Sequence, residues 1–69
     1  MTQNGRILNH LQSYGSITSK EAMDLYSCFR LASRINDLKK MGYNIKSVRE
    51  SGINKFGEPI HWARYSLAR

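Results

Sequence analysis

The sequence predicts an α+β domain in which three helices precede a two-stranded β-hairpin. Apolar residues recur at helical spacing up to Gly42, in segments bounded by capping residues, and beyond Gly42 they alternate as in strands. The 69 residues suffice for one domain spanning residues 1–69. A chain this short buries only about 60% of its unfolded surface, so its core is small and a deep catalytic cleft is not expected.

The first helix is predicted over residues 2–14. Its apolar side chains share one helical face: Ile7, Leu8, Leu11 and Tyr14. Gly15 follows directly and is typical of the left-handed residue that ends a helix.

A second, shorter helix is predicted over residues 18–26 because its start carries a specific capping signal. The hydroxyl of Thr18 can accept a hydrogen bond from a backbone amide of the first turn. The carboxylate of Glu21, three residues later, can accept a hydrogen bond from the backbone amide of Thr18. Ile17 and Ala22 occupy the two positions of a hydrophobic staple across the same turn.

The third helix is predicted over residues 28–41, with Ser27 as its N-terminal cap and Gly42 as its left-handed C-terminal residue. One stripe of this helix is apolar: Leu31, Ile35 and Leu38. The short connection forces the second and third helices to cross steeply, which makes a helix-turn-helix arrangement.

The hairpin is predicted from strands over residues 43–50 and 60–67, joined by a loop rich in turn residues. Alternation places Ala63, Tyr65 and Leu67 on one face of the second strand, where they are expected to close the core under the helices.

The positive charge is confined to the second part of the chain. Residues 1–26 hold two basic and two acidic residues, whereas residues 27–69 hold nine Lys or Arg against three acids, a net charge of +6. A localised basic surface favours nucleic acid as the partner, because binding releases counterions from the polyanion. The alternative is a basic surface that only keeps the protein in solution, and no helix has the amphipathic pattern of a membrane-surface segment.

A set of short motifs spans nearly the whole chain: Ile17-Thr18, Glu21-Ala22, Arg30-Leu31, Arg34-Ile35, Asp37-Leu38, Gly42-Tyr43, Ile45 and the closing run 63–67. In these residues the chain resembles the winged helix-turn-helix domains of short phage and prophage proteins of Gram-positive bacteria. The resemblance implies a double-stranded DNA-binding module whose third helix enters the major groove while the hairpin wing lies along the backbone or minor groove. The turn at 25–28 departs from the pattern because it lacks the glycine often found there.

Ten residues are candidates for DNA contact: Ser27, Phe29, Arg30, Ser33, Arg34, Lys40, Lys46, Arg49, Lys55 and Arg64. Arg30 and Arg34 lie four residues apart, a like-charge spacing that a phosphate or a guanine edge would relieve. The alternative for Arg34 is an ion pair with Asp37. Ser33 is small enough to let the helix approach base edges, and Lys40 suits a phosphate.

The wing offers two further aromatic residues whose roles the sequence leaves open. Phe56 either inserts against sugar or packs back on Trp62, and Trp62 fits a cross-strand aromatic pair better than a base-stacking platform. If both are exposed, they form a patch for a protein partner. The rival function is therefore a protein-interaction module of the same fold, such as a phage-encoded inhibitor of a nucleic-acid-binding machine.

Other site chemistries find little support in the sequence. Cys28 is the only cysteine, so an intramolecular disulfide framework is excluded and a reducing compartment is favoured. The residue fits a small hydrophobic side chain at a turn better than a redox sensor. The two histidines lack ligand-spaced partners, and no nucleophile, phosphate loop or acid pair is present, so neither a metal, a cofactor nor enzymatic activity is expected. Without a signal or spanning segment, the predicted location is the cytoplasm of a bacterial or phage-infected cell.

Overall fold

The computed structural model describes residues 2–68 and confirms an α+β fold. The elements in chain order are α1 (Gln3–Tyr14), β1 (Ser16–Thr18), α2 (Ser19–Tyr26), α3 (Leu31–Lys40), β2 (Ile45–Ile53) and β3 (Pro59–Leu67). Three helices and a C-terminal hairpin are as predicted, and the short strand β1 is an addition. Within the described range no helix has both the length and the apolar character needed to cross a membrane.

The ends of α1 follow the local sequence. The hydroxyl of Thr2 accepts a hydrogen bond from the Gly5 amide at 3.0 Å, which satisfies one of the free amides of the first turn. Gly15 ends the helix at φ 88°, in the left-handed region, and donates its N–H to the Leu11 carbonyl at 2.9 Å. The prediction that Gly15 stops the helix is confirmed.

The predicted capping box of α2 is confirmed. The Glu21 amide donates to Thr18 Oγ1 at 3.3 Å, and the Thr18 amide donates to Glu21 Oε1 at 2.9 Å. Both staple positions, Ile17 and Ala22, are buried. The helix ends at Ser27, whose φ of 53° is left-handed and whose N–H donates to the Met23 carbonyl at 3.0 Å.

The predicted start of α3 is wrong. The helix begins at Leu31, not at residue 28, and its N-terminal cap is Arg30, which makes no side-chain cap hydrogen bond. Ser27 cannot cap α3 because it already closes α2 in a left-handed conformation, whereas an N-terminal cap needs an extended backbone. Residues 27–30 therefore form a longer turn than predicted.

The C-terminal end of α3 agrees with the prediction for Gly42. This glycine has φ 101° and donates its N–H to the Lys39 carbonyl at 3.0 Å, while the Tyr43 N–H donates to the Leu38 carbonyl at 3.1 Å. These two hydrogen bonds define a Schellman motif, which stops the helix and turns the chain toward β2.

The sheet has three antiparallel strands in the order β1-β3-β2. β1 joins through the pair Ile17 and Tyr65, and the hairpin is in register from Ile45 opposite Leu67 to Ile53 opposite Pro59. The hairpin strands extend closer to the loop than the predicted bounds of 43–50 and 60–67.

The core lies between the helices and one face of this sheet. Its buried members are Ile7, Leu11, Ile17, Ala22, Cys28, Leu31, Ile35, Leu38 and Ile45. Tyr65 and Leu67 pack against it from β3, as predicted, whereas Ala63 lies further along the strand and is only partly buried. Tyr14 was placed on the apolar face of α1 but is largely exposed, with its ring 4.7 Å from that of His10.

Candidate nucleic-acid interface

The third helix presents a continuous line of exposed side chains opposite its buried stripe. Its exposed residues are Ala32, Asn36, Lys39 and Lys40, whereas Ser33, Arg34 and Asp37 are half-buried. Residues four apart on a helix are neighbours, so Ala32, Asn36 and Lys40 follow one another at intervals of about one turn. This line is the solvent-facing surface of α3.

The start of α3 is open to an anion. Phe29 and Arg30 are exposed residues of the turn that precedes the helix, although the predicted bounds of 28–41 placed both within it. No acidic residue lies in the first turn, and no side chain caps it. The positive end of the helix dipole is thus uncompensated, an arrangement that favours a phosphate.

Arg34 is held by an acid of its own helix. Its Nη2 lies 3.3 Å from Asp37 Oδ2, which also accepts from the side-chain amide of Asn4 on α1 at 3.4 Å. The alternative weighed for Arg34, an ion pair with Asp37, is therefore present. The guanidinium is directed toward the contact between α1 and α3.

Strand alternation divides the basic residues of the hairpin between two faces. Arg49, opposite Ala63, lies on the same face as Ile45 and hence on the side of the helices, while Lys46 and Arg64 lie on the other face. The structure thus separates Lys46 and Arg64 from the exposed line of α3. Lys55 lies in the loop and is exposed.

Arg64 is bound by acids from two other elements. Its Nε donates to Glu50 Oε1 on β2 at 2.9 Å, and its Nη1 reaches Glu21 Oε1 at 3.4 Å and Ser16 Oγ at 3.2 Å. The side chain is about one third exposed. Arg64 therefore joins the hairpin to β1 and to the first turn of α2.

Trp62 belongs to the same network and has no aromatic partner across the strands. It lies opposite Glu50, and its indole Nε1 donates to Glu50 Oε1 at 2.8 Å. This hydrogen bond, together with that from Arg64, lowers the pKa of Glu50. The predicted aromatic pair is wrong because the register places a glutamate opposite the indole and Gly52 beside it.

The loop of the hairpin is held by the side chain of Asn54. Its Oδ1 accepts from the amides of Phe56 at 2.9 Å and Glu58 at 3.0 Å. The Phe56 ring is 75% exposed, with Lys55 Nζ 5.4 Å from its centroid. Packing of Phe56 on Trp62, one of the two alternatives, is therefore not what the structure has.

Internal ion pairs leave most of the cations available. Among residues 2–68, three acids each pair with an arginine: Glu21, Asp37 and Glu50. Six basic residues beyond residue 26 form no ion pair in that range: Arg30, Lys39, Lys40, Lys46, Arg49 and Lys55. Pairing thus concentrates the net positive charge at both ends of α3 and along the hairpin.

Residues 2–69 match the sequence profile of the winged helix-turn-helix domain. The chain belongs to this family. Searches of curated proteins and of solved structures gave no significant match. In a winged helix-turn-helix domain, α2 and α3 form the helix-turn-helix and the β2–β3 hairpin is the wing. The family is typically a DNA-binding fold rather than a catalytic one, which confirms the resemblance drawn from the sequence at the level of the family.

Three exposed residues of α3 are not among the ten predicted candidates: Ala32, Asn36 and Lys39. Asp37, considered in the sequence as a partner of Arg34, also accepts a hydrogen bond from Asn4 on α1. The spacing of four residues from Ala32 to Asn36 and from Asn36 to Lys40 was visible in the sequence. The sequence did not show which residues of α3 are covered by α1.

Proposed function

We propose that this winged helix-turn-helix domain binds double-stranded DNA, with α3 in the major groove and the wing against the backbone. The observation that carries the proposal is the position of the free cations: they border the exposed line of α3 and extend along the hairpin, while two of the three acids beyond residue 26, Asp37 and Glu50, are ion-paired. This distribution suits a rod of phosphates more than a small anion.

The proposed phosphate contacts come from the two ends of α3 and from the wing. Ser27, Phe29 and Arg30 border the uncapped start of α3, and Lys40 lies at its last turn. On the wing, the candidates are Arg49 and Lys55, with Phe56 beside the loop tip to contact sugar, whereas Lys46 lies on the opposite face of the sheet and is left out of this surface. Arg34 and Arg64 are already ion-paired, so their proposed role is to hold α3 and the wing in place.

A regulator or architectural accessory of a phage or other mobile element is the proposed biological context. It rests on the resemblance to short phage and prophage proteins and on the size of the domain. One domain of 69 residues offers few base contacts, so useful specificity requires a second copy, tandem sites or a larger partner.

A second candidate function is docking of another protein on the face of the sheet away from the core. Met23 of α2 and Ile60 of β3 are exposed and line, with Trp62, an apolar groove between α2 and the wing. Among the residues that line this groove, Lys20 is a cation without an ion pair within residues 2–68, and Arg64 is paired with acids. Absence of duplex binding would favour this function.

The deciding experiment is a titration of the protein with a labelled random-sequence duplex at several salt concentrations, followed by fluorescence anisotropy. We expect Kd values of roughly 10⁻⁴ to 10⁻⁶ M near physiological salt that weaken steeply as salt rises. Lys40→Gln combined with Arg49→Gln should weaken binding and flatten the salt response, whereas Lys20→Gln on α2 is the matched control. No complex at low salt would overturn the proposal.

A further inference from the structure

The exposed line of α3 changes in chemistry along its length. Arg30 precedes it and Lys40 ends it, and both have long cationic side chains suited to phosphates. Between them lie Ala32 and Asn36, which are short and uncharged. Short side chains in the middle of a helix allow its backbone to approach the floor of a groove closely, so this centre is where base edges would be read.

The side-chain amide of Asn36 is available to a ligand. It forms no hydrogen bond within residues 2–68, as is also true of the exposed Asn9 and Asn44, whereas Asn4 and Asn54 are engaged. Of the three free amides, that of Asn36 is the one on α3. Asparagine is among the weaker helix formers, because its side chain competes for backbone hydrogen bonds. A free planar amide at the centre of a solvent-facing helix suggests a ligand outside the domain.

The position of Asn36 is well defined. The preceding residue, Ile35, and Leu38 two residues later are both buried in the core, so the backbone that carries Asn36 is fixed. Ala32, one turn before, carries only a methyl group and does not obstruct the amide. A fixed backbone limits the positions that the amide can reach, which favours specific recognition.

We propose that Asn36 reads an adenine in the major groove, where its amide N–H donates to N7 and its amide oxygen accepts from the N6 amino group. This pair of hydrogen bonds distinguishes adenine from the other three bases, which present different patterns there. The inference rests on the proposed duplex binding and adds to it: the preferred site contains an A·T pair beneath the centre of α3. The half-buried Ser33 could not supply this selectivity, because a hydroxyl bonds to either donors or acceptors.

The test begins with selection of preferred sites by the intact protein from a randomised duplex library. Affinity for the selected duplex is then compared with affinity for the same duplex carrying 7-deazaadenine, which lacks the N7 acceptor, at the adenine that selection fixes. The wild type should lose affinity on this replacement. Asn36→Ala should bind the selected site roughly 5- to 150-fold more weakly, with little change on random duplex, and should be indifferent to 7-deazaadenine.

Asn9→Ala is the matched control, because Asn9 is an exposed asparagine on α1. It should retain both the affinity and the 7-deazaadenine penalty of the wild type. The inference is overturned if selection fixes no adenine. It is also overturned if the wild type and Asn36→Ala lose the same affinity when 7-deazaadenine replaces the adenine. In both cases the proposed duplex binding is unaffected. Failure of every duplex to bind at low salt overturns the proposed function, and the inference with it.

Discussion

Arg64 Nε on β3 donates to Glu50 Oε1 on β2 at a distance of 2.9 Å, on the face of the sheet away from the core. The same carboxylate oxygen accepts from the indole of Trp62, and the same guanidinium reaches Glu21 at the start of α2. Two ion pairs of Arg64 thus connect both strands of the wing to the helix-turn-helix. The wing therefore contacts the start of α2 through polar groups in addition to the apolar core.

The first prediction concerns the pH dependence of stability. The pKa of Glu50 is lowered in the folded chain by the hydrogen bonds from Trp62 and Arg64, so the unfolded chain binds the proton more readily. The stabilisation is therefore present above the ordinary glutamate pKa of about 4.3 and is lost as pH falls through that value toward the lower folded pKa. Thermal unfolding of Glu50→Gln should show a lower Tm at neutral pH and a smaller Tm decrease between neutral and acidic pH than the wild type.

Asp24→Asn is the control for this experiment, because Asp24 is exposed and lies outside the network. Its Tm profile should have the same shape as that of the wild type. Parallel profiles for Glu50→Gln and the wild type would show that this carboxylate does not couple folding to pH.

The second prediction concerns the core. Leu38 is 1% exposed, and Leu38→Ala removes buried methyl groups and leaves a cavity, which should cost about 2 to 5 kcal/mol in the free energy of unfolding. Such a loss threatens a domain whose total stability is expected to be only about 5 to 15 kcal/mol. Urea denaturation followed by circular dichroism measures it, with Val48→Ala on the exposed face of β2 as a near-neutral control. Equal midpoints for the two variants would contradict the assignment of the buried face.

The third prediction concerns the capping box of α2. Thr18→Ala removes the hydroxyl that accepts from the Glu21 amide and should lower the free energy of unfolding by about 0.5 to 2 kcal/mol. Thr18→Ser keeps the hydroxyl and should recover most of that loss. The denaturation midpoints of the wild type and the two variants measure these differences. If both variants lose the same free energy of unfolding, the effect comes from the missing methyl group and not from the hydroxyl.

The fourth prediction separates phosphate contact from base reading on the wing. Lys55 is exposed at the loop, so Lys55→Ala should weaken binding to preferred and random duplexes about equally and reduce the salt slope by about one unit. Lys20→Ala, in the neutral part of the chain, should leave the slope unchanged. A salt slope in Lys55→Ala equal to that of the wild type would place the wing away from the phosphates.

The fifth prediction concerns the start of α3. If the exposed side chain of Arg30 contacts a base edge, Arg30→Ala should lose about 1 to 3 kcal/mol of binding free energy on the preferred site and less on random DNA. Anisotropy titrations with both duplexes measure the difference. Equal losses of binding free energy on the two duplexes would mean that Arg30 contacts only the DNA backbone. Unchanged binding to both duplexes would mean that Arg30 does not contact the DNA.

The sequence was sufficient for the elements whose signals are local. The capping box at Thr18, the left-handed Gly15 and Gly42, and the alternation in β3 each depend on residues a few positions apart. The helix starts that carry such a signal were placed correctly to within one residue.

The features that the sequence could not predict depend on distant contacts or on competition between neighbours. β1 has only three residues, and its partner β3 lies about fifty residues later, so no local pattern marks it. Ser27 has the composition of an N-terminal cap but is used to close α2. At the interface, Arg64 looked free in the sequence because its acidic partners, Glu21 and Glu50, come from other elements.

The pairing of β1 with β3 also constrains the order of events during synthesis. Ser16 to Thr18 are synthesised about fifty residues before β3, which is their sheet partner in the part of the chain that the structure describes, with its register from Ser66 to Arg64. The helices can form as they emerge, whereas closing the sheet requires a contact across most of the chain, with its entropic cost. The nascent domain therefore completes its fold only after β3 has been released, and until then the edge of β1 and the apolar side chains beneath it are open to chaperones.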